Sequence, residues 1–108
     1  MRERIGQNQS MPVPKLTDSE LRTALDALPG WGVAAGKLHR EYAFPDFIHA
    51  FGFMAASALV IEKMNHHPEW SNVYSHVSVD LTTHDSGGVT AQDTALAAAL
   101  ESIAGRML

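Results

Sequence analysis

Residues 62–84 read EKMNHHPEWSNVYSHVSVDLTTH, and the punctuation of this stretch decides how the chain folds. It opens on the end of a helical pattern, breaks at His66-His67-Pro68, and continues as two runs suited to strands, 70–74 and 77–82. Proline biases the residue before it towards extended geometry, so the helix is expected to stop before His67. Val77, Val79 and Leu81 alternate with Ser78, Asp80 and Thr82, the period of a strand with one buried face. Ser75 and His76 are the expected turn. The same stretch holds four of the six histidines and one of the two tryptophans. Histidine is the side chain whose unperturbed pKa lies between about 5 and 8. A bend can aim adjacent imidazoles into one cavity, whereas a helix would splay them by about 100° and a strand would send them to opposite faces.

Upstream, Pro45 and Asp46 open the longest helix, which is expected to run to about Asn65. Proline suits the first turn, and an acid there is favourable against the helix dipole. Its middle, FIHAFGFMAASALVI, is apolar on more than one face, so residues 46–65 are expected to have a second burial surface, a subunit contact. Residues 31–34 and 38–44 flank Ala35-Gly36-Lys37 and read as a hairpin. Before it, Thr17 and Glu20 form a capping box, with Leu16 and Leu21 as its hydrophobic staple, and Pro29-Gly30 ends that helix. Downstream of residue 84, Asp85-Ser86-Gly87-Gly88 reads as a loop. Thr90 and Asp93 repeat the cap-and-acid spacing, and Leu96, Leu100, Ile103 and Met107 mark a final helix. The class is α+β: a four-stranded antiparallel sheet with three helices packed on one face, in the order α-β-β-α-β-β-α.

Composition narrows the function. The chain has 108 residues, a net charge of −4 and 45% hydrophobic residues. That is one domain of ordinary globular composition. Residues 1–15 read as a loose lead-in and 16–108 as the domain. A net negative charge supplies no basic footprint for direct nucleic-acid binding. The apolar runs are short and interrupted, so no membrane segment is expected. Without cysteine there is no disulfide, thiol nucleophile or zinc-thiolate site, and a cytoplasmic location fits.

The spacing Glu62, three residues, His66-His67-Pro68, five residues, Tyr74, nine residues, His84, eight residues, Asp93 resembles the signature of the pterin-4a-carbinolamine dehydratases. Trp70 after Pro68-Glu69, the FGFM of residues 51–54 and Thr83-His84 are similar to that family too. The resemblance extends from about Leu16 to the last helix. It implies a metal-free dehydratase that converts 4a-hydroxytetrahydrobiopterin to quinonoid dihydrobiopterin and water in tetrahydrobiopterin recycling. No cofactor is implied, because the pterin is the substrate, and a functional link to an aromatic amino acid hydroxylase follows. His66, His67 and His84 are the implied catalytic residues. His66 and His84 would carry most of the acid-base work, while His67 would bind and polarise the hydroxyl or share in the proton transfer. Glu62, Trp70 and Asp93 are the implied supporting residues: Glu62 one turn before His66, Trp70 as a pocket wall, and Asp93 as a helix cap, an orienter of a histidine, or both. A homodimer or homotetramer is implied as well. Some members of the family also serve as dimerisation cofactors of a homeodomain transcription factor through the long helix, an alternative function for residues 46–65. A three-histidine metal site competes poorly, since adjacent histidines rarely share one metal. His39, His49 and His76 read as surface residues.

Overall fold

The computed structural model describes residues 13–108. The elements follow as α1 (Asp18–Asp26), β1 (Gly32–Ala34), β2 (Lys37–Ala43), α2 (Phe47–Met64), β3 (Glu69–Val73), β4 (His76–Leu81) and α3 (Ala91–Ala104), with a short 3₁₀ turn at His84–Ser86. The sheet is antiparallel throughout, in the order β1-β2-β4-β3. The class and element order expected from the sequence are those observed.

Local chemistry sets the boundaries. The capping box of α1 is formed, with Glu20 N–H on Thr17 Oγ1 at 3.1 Å and Thr17 N–H on Glu20 Oε1 at 2.8 Å. Asp46 caps α2 by accepting His49 N–H at 2.8 Å. At the other end Asn65 adopts the left-handed conformation, φ 51° and ψ 44°. Asparagine tolerates that region better than most residues. The bend before the histidine pair is therefore made at Asn65, one residue ahead of His66, and Pro68 only keeps the chain extended beyond it. The first hairpin turns on Ala35 and Gly36, both with positive φ, as a two-residue turn of the primed type requires. Lys37 already belongs to β2, against the expectation that it lies in the turn. The second turn lies at Tyr74-Ser75, one residue earlier than the sequence suggested, because His76 pairs with Val73. Asn72 Nδ2 holds it by donating to Tyr74 O at 3.0 Å and His76 O at 2.9 Å.

The core lies on one side of the sheet. Leu38, Tyr42, Val77, Val79 and Leu81 meet Ala50, Phe53 and Ile61 of α2 and Leu96, Ala97, Leu100 and Ala104 of α3. α1 buries no residue fully and touches this core only through Leu21 and Leu25. At one end Glu101 Oε1 accepts from Tyr42 Oη at 2.6 Å and Trp31 Nε1 at 2.9 Å. Burial opposes the Glu101 charge, yet these bonds and the nearby Arg40 charge outweigh it and hold the carboxyl below its ordinary value. Residues 13–15 are tied down: Ser86 Oγ donates to Val13 O, and Lys15 pairs with Thr90. The rest of the expected lead-in, residues 1–12, lies outside the described residues.

The opposite face of the sheet is polar and, among the described residues, uncovered. Glu41 is its hub, accepting from His76 Nε2 at 2.7 Å and Ser78 Oγ at 2.8 Å, with His39 Nε2 2.7 Å from its Oε2. His39 and His76 thus converge across β2 and β4, which their spacing in the sequence did not suggest. α2 is long and apolar enough to cross a bilayer by length and composition alone, with a mean hydropathy of 1.4 over Phe47–Met64. In the fold, however, its Ala50, Phe53, Ser57 and Ile61 are buried in the domain. Its outer surface carries Phe47, Ile48, Phe51 and Leu59, all exposed.

Candidate active site

Where α2 ends and β4 gives way to the 3₁₀ turn, the structure leaves a cavity of about 620 Å³ lined by Asn65, His66, His67, Thr82, Thr83, His84, Asp85 and Gln92. Its size is within the range of about 300–1,000 Å³ usual for small-molecule sites. His66 and His67 reach it because the left-handed Asn65 turns the chain off the helix axis. His84 lines it from the start of a loop closed by Thr83 N–H on Gly88 O at 2.9 Å.

Each of the three imidazoles has its Nε2 against a different carboxylate. His66 Nε2 lies 2.5 Å from Asp93 Oδ1, His67 Nε2 3.2 Å from Glu62 Oε1, and His84 Nε2 3.1 Å from Glu69 Oε2. A carboxylate accepts, so these contacts suit the tautomer with the proton on Nε2, and among the described residues Nδ1 of each ring makes no hydrogen bond. The three pairs differ in burial. Asp93 is fully buried and the His66 side chain is 12% exposed, whereas the His67 and His84 side chains are 59% and 76% exposed. His66 is consequently held rigidly, and the other two are held only as firmly as exposed pairs allow.

Asp93 serves two ends of the site at once. Its Oδ2 accepts Thr90 N–H at 2.8 Å, closing the capping box of α3, and also the hydroxyl of Thr83 at 2.8 Å. With Thr83 donating to Asp93, the Thr90 hydroxyl, 2.8 Å away, supplies the proton to Thr83 Oγ1. The cap and the histidine-orienting roles therefore coexist in one residue. Glu62 pairs with His67, although the sequence placed it one turn before His66. Trp70 is not part of the cavity lining: it pairs with Val79 on the core side of the sheet and meets the Phe53 ring at 6.4 Å, edge-on. Glu69 was visible in the sequence only as part of the motif, and its contact with His84 emerges from the pairing of β3 with β4. Asn65, Thr82, Asp85 and Gln92 also escaped the sequence reading, since no spacing rule points from one loop to another. Among the described residues, no three His, Asp or Glu side chains are grouped so as to hold a metal ion. A second depression, about 480 Å³, lies beside β1. Arg40 donates from Nη1 to Glu41 O at 2.8 Å and lies over the Tyr42 ring at 4.3 Å, while its buried Nε, 3.5 Å from Glu101 Oε1, makes no hydrogen bond; His39 lies against Asp80 and Glu41.

An α+β domain that gathers three imidazole-carboxylate pairs at an open polar cavity holds groups able to give and take protons near neutral pH. The family described as pterin 4 alpha carbinolamine dehydratase matches residues 14–103, and the chain belongs to it. A relative from Solibacter usitatus, provisionally named pterin-4-alpha-carbinolamine dehydratase, is 60% identical over 90 residues, 83% of this chain and 95% of its own. One from Rhodopseudomonas palustris, named likewise, is 54% identical over 97 residues, 88% of this chain and 96% of its own. Among solved structures, a transcriptional coactivator/pterin dehydratase from Brucella melitensis superposes with a TM-score of 0.81 at 48% identity, covering 84% of this chain and 99% of that one. A pterin dehydratase-like protein described as a RuBisCO assembly factor in the alpha-carboxysome shares the fold, with a TM-score of 0.58 at 22% identity, over 69% of this chain and 87% of its own.

Proposed function

We propose that this protein dehydrates 4a-hydroxytetrahydrobiopterin to quinonoid dihydrobiopterin and water by histidine acid-base catalysis, without a metal or cofactor. The observation that carries this reading is the set of three imidazoles lining one cavity, each with Nε2 on a carboxylate and, among the described residues, no hydrogen bond at Nδ1. One imidazolium gives its Nδ1 proton to the C4a hydroxyl, which leaves as water, and a neutral imidazole takes a proton from the pterin ring. A positioned acid or base of this kind typically contributes about 10²–10⁴-fold. His66 and His84 line the same cavity from different elements and suit the two roles, while His67 holds and polarises the hydroxyl. Family membership supports the substrate class. A tetrahydrobiopterin-recycling role, downstream of an aromatic amino acid hydroxylase in the cytoplasm, follows from that chemistry. The direct test is loss of freshly generated 4a-carbinolamine with and without the protein; a rate equal to the uncatalysed one would sink the proposal.

The exposed apolar surface of α2 favours self-association into a dimer or tetramer, since four large apolar side chains on one helix are unusual on a lone domain. It equally suits the second reading, a protein-interaction module, which the coactivator label of the Brucella melitensis structure also suggests. Size-exclusion chromatography of the protein alone, set beside a pull-down with a homeodomain factor, separates the two.

A further inference from the structure

On the open face of the sheet, His84 is the end of a chain of contacts that begins two strands away. Lys37 Nζ, at the start of β2, lies 2.5 Å from Glu69 Oε1 on β3, and the other oxygen of the same carboxylate, Oε2, lies 3.1 Å from His84 Nε2. Between them runs β4, whose Asp80 is paired in register with Glu69. We propose that Lys37 and Glu69 are positioning residues for His84, holding its imidazole with Nδ1 presented to the cavity; this rests on the dehydratase reading above.

The physical need is specific to this histidine. His66 has a fully buried partner that is itself held by Thr83 and Thr90. His84 is largely exposed, its loop offers its ring no other bond among the described residues, and a lone surface carboxylate would sample many rotamers. Engaging one Glu69 oxygen with an ammonium leaves the second in a defined place. The hydrogen bond from Lys37 foremost, then that from His84, holds the Glu69 carboxyl below its ordinary value, so the acceptor is ionised at neutral pH. Other titratable groups at this end of the site are Asp85 beside His84, His66 and His67 across the cavity, and Asp80 next to Lys37. None of them substitutes for Glu69, because none contacts the His84 ring.

Glu69→Ala, Lys37→Met and the double variant test this. The ¹³C relaxation of the His84 ring, measured without substrate, should show an ordered ring in the parent protein and a nanosecond-mobile one in each variant. Dehydration should fall about 10-fold in kcat for Glu69→Ala, with KM changed less than about twofold, as expected when a group acts only on the reacting geometry. Lys37→Met should lie between the parent and Glu69→Ala, Lys37→Arg should restore the parent rate, and the double variant should be no slower than Glu69→Ala, since Lys37 works through Glu69. Thermal midpoints should barely move. Equal ring order in all variants, or a double variant slower than Glu69→Ala, overturns the assignment. A parent protein without dehydratase activity would instead defeat the functional reading, leaving the ring relaxation to decide the positioning.

Discussion

Asp93 lies fully buried beneath the cavity, with Oδ1 2.5 Å from His66 Nε2. Its other oxygen holds Thr83, the residue before His84, so one carboxylate sets the spacing between the two sides of the site. Asp93→Ala strips partners from three donors: the His66 ring, the Thr83 hydroxyl and Thr90 N–H. At about 1–3 kcal/mol for each unsatisfied buried group, the expected loss is about 3 kcal/mol or more. That is a large part of the stability of a domain this size, about 5–15 kcal/mol. Urea denaturation should show it as a lowered midpoint. Asp93→Asn, which keeps one acceptor, should lose less stability and still dehydrate slowly.

His66→Ala and His84→Ala should each lower the dehydration rate by about 10²–10⁴-fold, the range for removing a positioned acid or base. His67→Ala should cost less and act more on KM, because its assigned role is to hold the hydroxyl. Wild-type rates for both His66→Ala and His84→Ala would show that the chemistry lies elsewhere.

His39 gives the open face a pH dependence. Its Nδ1 bonds to Asp80 Oδ1 at 2.8 Å and its Nε2 lies 2.7 Å from Glu41 Oε2, so carboxylates beside both nitrogens favour the protonated ring. The hydrogen bond to Asp80 foremost, helped by the charges of Asp80 and Glu41 and opposed by partial burial, raises its pKa above 6.5. A raised folded-state pKa stabilises the fold fully below 6.5, and the effect disappears as pH climbs through the folded value. Glu41 runs the other way: bonds from Ser78 and then His76 lower its pKa below 4.5, so its contribution is present above that value and fades as pH falls through the folded one. The difference in thermal midpoint between the parent and His39→Gln should therefore be larger at about pH 6 than at about pH 9. An equal difference at both would show that the two carboxylates do not favour the protonated ring.

Leu59 and Ile48 project from α2 with 76% and 78% of their surfaces exposed. Leu59→Glu and Ile48→Lys should convert a dimer or tetramer to a smaller species in sedimentation velocity, with the helical circular dichroism retained. An unchanged mass for both variants would overturn the proposed self-association through α2.

Much of this architecture was legible in the order of residues. Caps, hairpins and apolar periods are local signals, so α1, α2, α3 and the four strands lie close to where the capping pairs and alternation put them. The differences are one-residue displacements at turns, where side-chain bonds such as those of Asn72 select among neighbouring registers. The site was less legible. The motif at 62–93 brought forward three histidines that do share a cavity, together with Asp93, but it could not say which carboxylate meets which ring. Glu62 goes to His67 and Glu69 to His84, while Trp70 goes to the core.

By itself, then, the sequence determined the element types, their order and the concentration of imidazoles after α2, because each depends on contacts among near neighbours in the chain. Only the tertiary structure decided the pairing of His66 with Asp93, 27 residues apart, and of Lys37 with Glu69, 32 apart. Such pairs form when sheet register and the docking of α3 on α2 bring distant side chains within hydrogen-bonding reach. The order of residues does not encode those distances until the core has packed.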